Sequence, residues 1–473
     1  MSKADREDHG ERRGENAMSI AAEFDCIARR RLLKMSAAAV VGCVWPLRRR
    51  VLSAERPIAG KPNIVFILAD DMGWADVGYH GSTIRTPHID RLAKEGIRFD
   101  RHYVMPTCTP TRVGFLSGRY PSRFGVTAPA YDKIFDDDTI TLAQALRDSG
   151  YATSIVGKWH MGSPPDCTPL KYGFDTSYGY FHGQIDPYTH HYKTGVPSWH
   201  RNDQYLDEKG HATDLITDET VRIVTSKHDK PFFLYLNYSV PHYPLDEPAE
   251  WTSLYEDTIA EPSRRLLAAS ITHMDHGIGR IVEALNEAGL RENTLIVFVS
   301  DNGGQQSWHS NTEYKGRYAH KPHTVLGDNR PLRGWKGQVY EGGIRVPALA
   351  NWPGVLKPGR SEALVHIVDW MPTLSGLVGY RPPRDLRWDG CDVWAAIRGD
   401  TELSRQRRLY WKTPNASAVR SGDWKLVLAN DGRNTQLYDL ASDPYEKNDL
   451  ADRHPARVAE LRLAWTKFAA ADR

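Results

Sequence analysis

Asn63-Ile-Val-Phe-Ile-Leu-Ala69 is a run of branched and aromatic apolar residues uninterrupted by charge. Such a run, with no polar alternation, predicts a strand covered on both faces, as in parallel sheets. Pro87 to Gly96 (PHIDRLAKEG) predicts a helix with proline near its start and glycine at its end. Thr139 to Ser149 predicts a second helix, stopped by Gly150 and followed by a strand over Tyr151 to Val156. Phe232 to Tyr238 predicts a third strand. Leu267, Ile271, Met274, Ile278, Ile281 and Leu285 recur at steps of 3 and 4, the stripe of a long amphipathic helix. Gly289 closes that helix and Thr294 to Val299 returns as a strand. Strands alternating with helices predict an α/β fold, a large and mostly parallel sheet covered by helices.

The pattern changes near residue 400. Arg408 to Lys412, Ala418 to Ala429 and Thr435 to Leu440 are predicted as short strands joined by polar turns such as Asn430-Asp431-Gly432. Pro455 to Ala469 is predicted as a terminal helix. These divide the chain into a main domain over 57–400 and a small C-terminal α+β domain over 401–473, with a leader over 1–56. In the leader, Arg29-Arg30-Arg31-Leu32-Leu33-Lys34 precedes an apolar stretch from Met35 to Leu47, too short for the ~20 residues that span a bilayer. A basic segment followed by a short apolar one predicts an export signal, and the arginine pair resembles the twin-arginine type. Cleavage is expected after Ala54, and Val40-Val41-Gly42-Cys43 leaves a lipid anchor on Cys43 as the other reading, both consistent with the bacterial periplasm.

Composition narrows the function. The chain has 473 residues, 40% of them hydrophobic, with 38 glycines, so disorder and a multi-span membrane protein are excluded. Lys and Arg number 61 against 59 Asp and Glu. Of these the leader holds 12 and 8, leaving 49 and 51 in residues 57–473, so bulk charge gives no argument for nucleic acid as a partner. Five cysteines are too few for a disulfide scaffold. If Cys26 and Cys43 leave with the leader, Cys167 and Cys391 remain beside Cys108, with their pairing open.

Ligands of open α/β sheets bind where the strands end. The first strand ends in Asp70-Asp71, and the Thr294–Val299 strand is followed by Ser300-Asp301-Asn302-Gly303-Gly304. Three carboxylates and an amide oxygen suit a hard divalent cation, Ca²⁺ or Mg²⁺; zinc would call for His or Cys. In Cys108-Thr109-Pro110-Thr111-Arg112, the proline places Cys108 at a helix N-terminus, where free N–H groups favour an anion. Arg112, one turn on, is expected to point the same way and suits a tetrahedral oxyanion.

With Leu116-Ser117-Gly118, that segment reads C-x-P-x-R-x-x-x-L-S-G and resembles the type I sulfatase signature. Asp70-Asp71, Gly157-Lys158-Trp159-His160, Pro241-His242, Asp301-Asn302, Gly334-Trp335-Lys336-Gly337 and Glu341-Gly342-Gly343 match the family in order, as do Asp423-Trp424-Lys425-Leu426 and Leu437-Tyr438-Asp439-Leu440 near the C-terminus. The resemblance implies an alkaline-phosphatase-like fold and an arylsulfatase-like sulfuric ester hydrolase. It also implies oxidation of Cys108 to formylglycine by a separate formylglycine-generating enzyme, which must act before that region folds. Export of the folded product by a twin-arginine route agrees with that order.

By the same resemblance, Asp70, Asp71, Asp301 and Asn302 hold the cation together with the side chain at 108. The formylglycine hydrate attacks sulfur, Arg112, Lys158 and Lys336 face the sulfonyl oxygens, His242 protonates the leaving oxygen and His160 is the base that releases sulfate. Crowded near the cation, both lysines are expected to have depressed pKa values unless bound sulfate offsets this. The polar-aromatic stretches 183–192 and 308–323 are expected to border the cleft, with Asp186 and His190 binding substrate. Such loops suit a sulfated saccharide and an aryl sulfate alike, but the Asp186/His190 region resembles that of carbohydrate and arylsulfatase B-like members, and that resemblance favours a sulfated saccharide. Two rivals stay open: a phosphate or phosphonate ester hydrolase of the same superfamily, and a non-catalytic binder of sulfated saccharides. Oligomeric state is not readable.

Overall fold

A computed structural model describes residues 60–130, 132–308, 313–318, 326–401, 403 and 407–473. The readings of the leader, including Ala54 and Cys43, lie outside these residues, as do parts of the 308–323 stretch. The first predicted strand forms as Asn63–Ala69, buried throughout. It is flanked in parallel by Phe232–Asn237 and Thr294–Ser300, and Phe232–Asn237 pairs in parallel with Ala152–Lys158, which pairs with Thr176–Tyr180. Ala348–Asn351 continues the sheet antiparallel beyond Thr294–Ser300, and short edge strands bring it to ten. The alternation of a buried strand assigns its side chains to two layers. Ile64, Phe66 and Leu68 enter one core with the helices Cys108–Ser117, Leu142–Asp148 and Trp370–Val378. Val65, Ile67 and Ala69 enter the other, with Pro87–Glu95, Ala212–Thr225 and the long helix Pro262–Glu287. All six residues of the predicted stripe on that long helix are buried.

The small C-terminal sheet is antiparallel and four-stranded, and the terminal helix spans Pro455–Ala469. The stretch expected as one strand over 418–429 is instead a hairpin, Ala416–Ser421 and Trp424–Ala429, with Ser421 opposite Trp424. Gly422, at φ 59°, supplies the left-handed backbone that so tight a reversal needs. Cys167 and Cys391 are free thiols, the first buried and the second exposed. Among the described residues no helix is long and apolar enough to cross a membrane.

The two long helices of the second layer are joined through a buried histidine. Nδ1 of His273 lies 2.8 Å from Glu247 Oε2 and Nε2 lies 3.0 Å from Asp214 Oδ1. The rings of His211 and Trp251 pack against it, each with its centroid 4.9 Å away. Burial disfavours the imidazolium, but the two carboxylates outweigh burial and push the pKa up to about 9. A pKa raised above the unfolded value of 6.5 adds stability that is complete below pH 6.5 and lost as the pH rises through 9. Urea unfolding should therefore show a loss of about 2–3 kcal/mol between those limits. His273→Gln should flatten that part of the profile, and an unchanged slope would refute the assignment.

Candidate active site

Strand register builds the site. Ala69 and Ser300 are paired partners at the ends of adjacent parallel strands, so Asp70-Asp71 and Asp301-Asn302 emerge side by side. Cross-links fix them there. The backbone N–H of Asp71 donates to Asp301 Oδ1 at 3.1 Å, that of Asp301 donates to the Ala69 carbonyl at 2.9 Å, and Asn302 Nδ2 donates to Asp71 Oδ1 at 2.8 Å. Asp71 turns away from its strand at φ 74°, a backbone strain of the kind that collects at functional sites. The helix Cys108–Ser117 starts at Cys108, as Pro110 predicts. The Thr111 hydroxyl donates to the Asp301 carbonyl at 2.6 Å and pins the first turn of the helix to the strand end. That contact has no signature in the sequence, where Thr111 sits at a variable place of the motif.

Each acid meets a cation from a different element. Lys158 Nζ lies 2.5 Å from Asp70 Oδ2, Arg112 Nη2 lies 2.9 Å from Asp301 Oδ2, and Lys336 Nζ lies 2.6 Å from Asp71 Oδ1. Arg112 also donates to the Lys158 carbonyl at 3.1 Å. Fully buried, Arg112 is not among the residues that line the cavity. Its fork is engaged by Asp301 and the Lys158 carbonyl, behind the cavity wall.

Burial and the neighbouring Asp301 push the Asp70 carboxyl well up, more than Lys158 brings it down. Burial would raise Asp71 too, but Lys336 and His242 outweigh it and hold the group at about 2. Lys336 is raised, the reverse of the expected depression; burial opposes its charge, but the Asp71 carboxylate prevails. Burial pushes the Cys108 thiol up.

His160 and His242 complete the wall. His160 Nδ1 is 3.2 Å from Cys108 Sγ. His242 Nδ1 faces the Tyr243 carbonyl at 2.5 Å, leaving Nε2 toward the site, 3.7 Å from Asp71 Oδ2. Burial, then the nearby Lys158 for His160 and Lys336 for His242, hold both well below the usual imidazole range.

Ligand atoms of Asp70, Cys108 and Asp301 lie within 4.8 Å of one another, as do those of Asp70, Asp71 and His242. Asp70 Oδ1 and Asn302 Oδ1 are buried and accept no hydrogen bond among the described residues. Buried oxygens in that condition are costly unless something binds them, and this all-oxygen set fits a hard divalent cation.

Cys108, His160, His242 and Lys336 open into a cavity of about 480 Å³. Gln184, Lys193, Tyr243, Gln305 and Trp335 also line it. Gln184 belongs to the 183–192 stretch expected to border the cleft and Trp335 to the Lys336 motif, whereas nothing in the sequence singles out Lys193, Tyr243 or Gln305, although Gln305 follows the Asp301-Asn302 motif. Asp186 and His190 do not line the cavity, and their expected place against substrate is corrected. Asp186 is buried, accepting the Tyr188 and Thr189 amides, the Tyr318 hydroxyl at 2.8 Å and the Arg317 guanidinium. His190 stacks on Trp199 with centroids 4.5 Å apart and reaches the Gly210 carbonyl at 3.1 Å. Both hold the loop together from within.

Comparison with known proteins agrees with this geometry. Residues 62–380 match the Sulfatase family, and residues 334–464 match the C-terminal region of N-sulphoglucosamine sulphohydrolase. Arylsulfatase J of Mus musculus is 34% identical, over 88% of this chain and 77% of that protein. The N-acetylgalactosamine-6-O-sulfatase of Bacteroides thetaiotaomicron is 29% identical, over 85% of this chain and 92% of that protein. The crystal structure of Ps i-CgsB in complex with k-i-k-neocarrahexaose superposes with a TM-score of 0.79 at 30% identity, covering 87% of this chain and 94% of that one. With two thirds of its length matching the family and its acids, cations and Cys108 gathered at the strand ends, the chain belongs to the sulfatase family and is a sulfuric ester hydrolase.

Proposed function

We propose that this sulfatase removes sulfate from a sulfated saccharide, with position 108 as nucleophile after oxidation to formylglycine. The observation that carries the reading is the Cys108 side chain, at a helix start, facing Asp70, Asp301 and His160 at the floor of an open cavity. When present, the hydrated aldehyde supplies an oxygen nucleophile and a second hydroxyl that permits sulfate release, and a divalent cation, Ca²⁺ before Mg²⁺, supplies positive charge between Asp70, Asp71, Asp301 and Asn302.

The chain's own residues do the rest. Three buried acids are matched by Arg112, Lys158 and Lys336, so the side chains are balanced without the cation, and its charge favours an anionic ester. Lys336 reaches the cavity and meets the sulfate oxygens, while Lys158 supports Asp70 from below. With Nδ1 committed to the Tyr243 carbonyl, His242 presents Nε2 to the leaving oxygen, and the negative charge of the bound ester offsets burial and Lys336 so that Nε2 takes up the proton it delivers. His160, beside position 108, takes a proton from that side chain.

Amides of Gln184 and Gln305 and the faces of Tyr243 and Trp335 suit sugar hydroxyls and ring C–H groups. The N-acetylgalactosamine-6-O-sulfatase and the oligosaccharide-bound Ps i-CgsB support a saccharide. The leader, read from the sequence as a twin-arginine export signal with a lipid anchor on Cys43 as the other reading, supports a reaction in the periplasm after modification in the cytosol.

Cys108→Ala should abolish release of sulfate from 4-nitrophenyl sulfate and from N-acetylgalactosamine 6-sulfate, and mass spectrometry of the wild-type peptide should find an aldehyde at 108. Unmodified thiol in active protein, or faster turnover of 4-nitrophenyl phosphate, would overturn the reading. His242→Ala should lower kcat by roughly 10²- to 10⁴-fold with aryl sulfates, and less as the leaving alcohol becomes more acidic. Dialysis against chelator should remove activity and lower the thermal midpoint. Calcium at 100 times its Kd should restore about 2.7 kcal/mol of stability, and Asp301→Asn should lose that response.

A further inference from the structure

Lys425 lies in the C-terminal sheet, in the strand Trp424–Ala429, outside the cavity wall, and its side chain is fully buried. Its ammonium stands 2.9 Å from Glu341 Oε1 and 2.8 Å from Glu446 Oε1. The Glu341 amide donates to Glu446 Oε2 at 2.7 Å, and the Tyr103 hydroxyl donates to Glu341 Oε2 at 2.6 Å. One buried cation thus holds two buried carboxylates together, and without it they would repel.

Glu341 opens a short helical turn on which the Lys336 loop rests. A Cβ on Gly342 would come within 2.4 Å of the Gly334 carbonyl oxygen, and one on Gly343 within 2.6 Å of that of Trp335 and 2.1 Å of that of Gln338. The backbones are therefore in direct contact on both sides of Lys336. The same turn meets the cation-binding end, since a Cβ on Gly303 would lie 1.8 Å from the Gly342 oxygen. The C-terminal region holds this loop through two more side chains. Arg333 donates to the Tyr438 hydroxyl at 2.7 Å and to the Glu446 carbonyl at 3.0 Å, and the Tyr340 hydroxyl donates to Gln436 at 2.7 Å.

We propose that Lys425 is a positioning residue for Lys336: through Glu341 and the turn that follows, the C-terminal sheet sets where the Lys336 ammonium stands against Asp71 and the cavity. The inference rests on the reading that Lys336 contacts the sulfate. A displacement of about 1 Å at a charged contact costs up to roughly 100-fold in rate, so a remote clamp has a measurable effect.

The test is a double-mutant cycle on full-length protein, reading kcat and KM with 4-nitrophenyl sulfate and checking folding by circular dichroism. Lys425→Met should lower kcat/KM about tenfold or more in the wild type but less than about twofold in Lys336→Ala, which has no ammonium to misplace. Lys425→Arg should recover most of the loss. Equal losses in both backgrounds would mean that Lys425 only supports the fold, and would overturn the inference while leaving the role of Lys336 intact. An unchanged kcat/KM in Lys336→Ala would instead refute the sulfate contact and the inference with it. If Lys425→Met does not fold, Gln436→Ala and Tyr438→Phe loosen the same loop without stripping a buried charge. They should show the same dependence on Lys336, and equal losses in both backgrounds would overturn the proposal equally.

Discussion

Three carboxylates at the ends of two adjacent parallel strands, all but out of reach of water, repel one another in a medium that screens them poorly. Asp70, Asp71 and Asp301 are compatible only because each has a cation at hydrogen-bond distance. Those cations arrive from three separate places: the Cys108 helix, the end of the strand Ala152–Lys158, and the loop before Glu341. The acids therefore require the sheet order, the helix docking and the loop conformation to be correct together. A strand pair out of register by one residue would turn these side chains to the opposite face and leave the charges unmatched.

The same balance explains how a site of such charge density faces an anionic ester. Arg112 and Lys158 lie under the floor, fully buried, while Lys336 reaches the cavity beside His242. Each of the three cations fixes an acid, and Lys336, paired with Asp71, is the one of the three that borders the cavity. The C-terminal sheet belongs to this arrangement through Lys425, Glu341 and Glu446, although it supplies no side chain to the cavity among the described residues.

Much of this was legible along the chain. Asn63–Ala69 and the strand after Asn293 are runs without alternation, which only a doubly covered strand satisfies, and the acids follow them directly. The hairpin at Gly422-Asp423 was not read, because the two short strands on either side form one nearly continuous β-prone stretch and the reversal rests on a single glycine. Asp186 and His190 were misplaced for a different reason. A polar residue in a glycine-rich loop has the same local signature whether it faces a ligand or binds the loop to itself. For Asp186 the approach of Arg317 and Tyr318, about 130 positions away in sequence, decides between them; for His190 it is the stacking on Trp199 and the reach to the Gly210 carbonyl.

Local pattern along the chain is enough for the strand and helix alternation, the acids at the strand ends and the start of the helix at Cys108, because each depends on spacing among near neighbours and on the fixed φ of proline. The tertiary structure alone decided which cation serves which acid, that Arg112 lies behind the wall while Lys336 looks into the cavity, and that the C-terminal sheet clamps Glu341. Those contacts join residues scores or hundreds of positions apart. Their geometry follows from how whole layers pack, which no local pattern encodes.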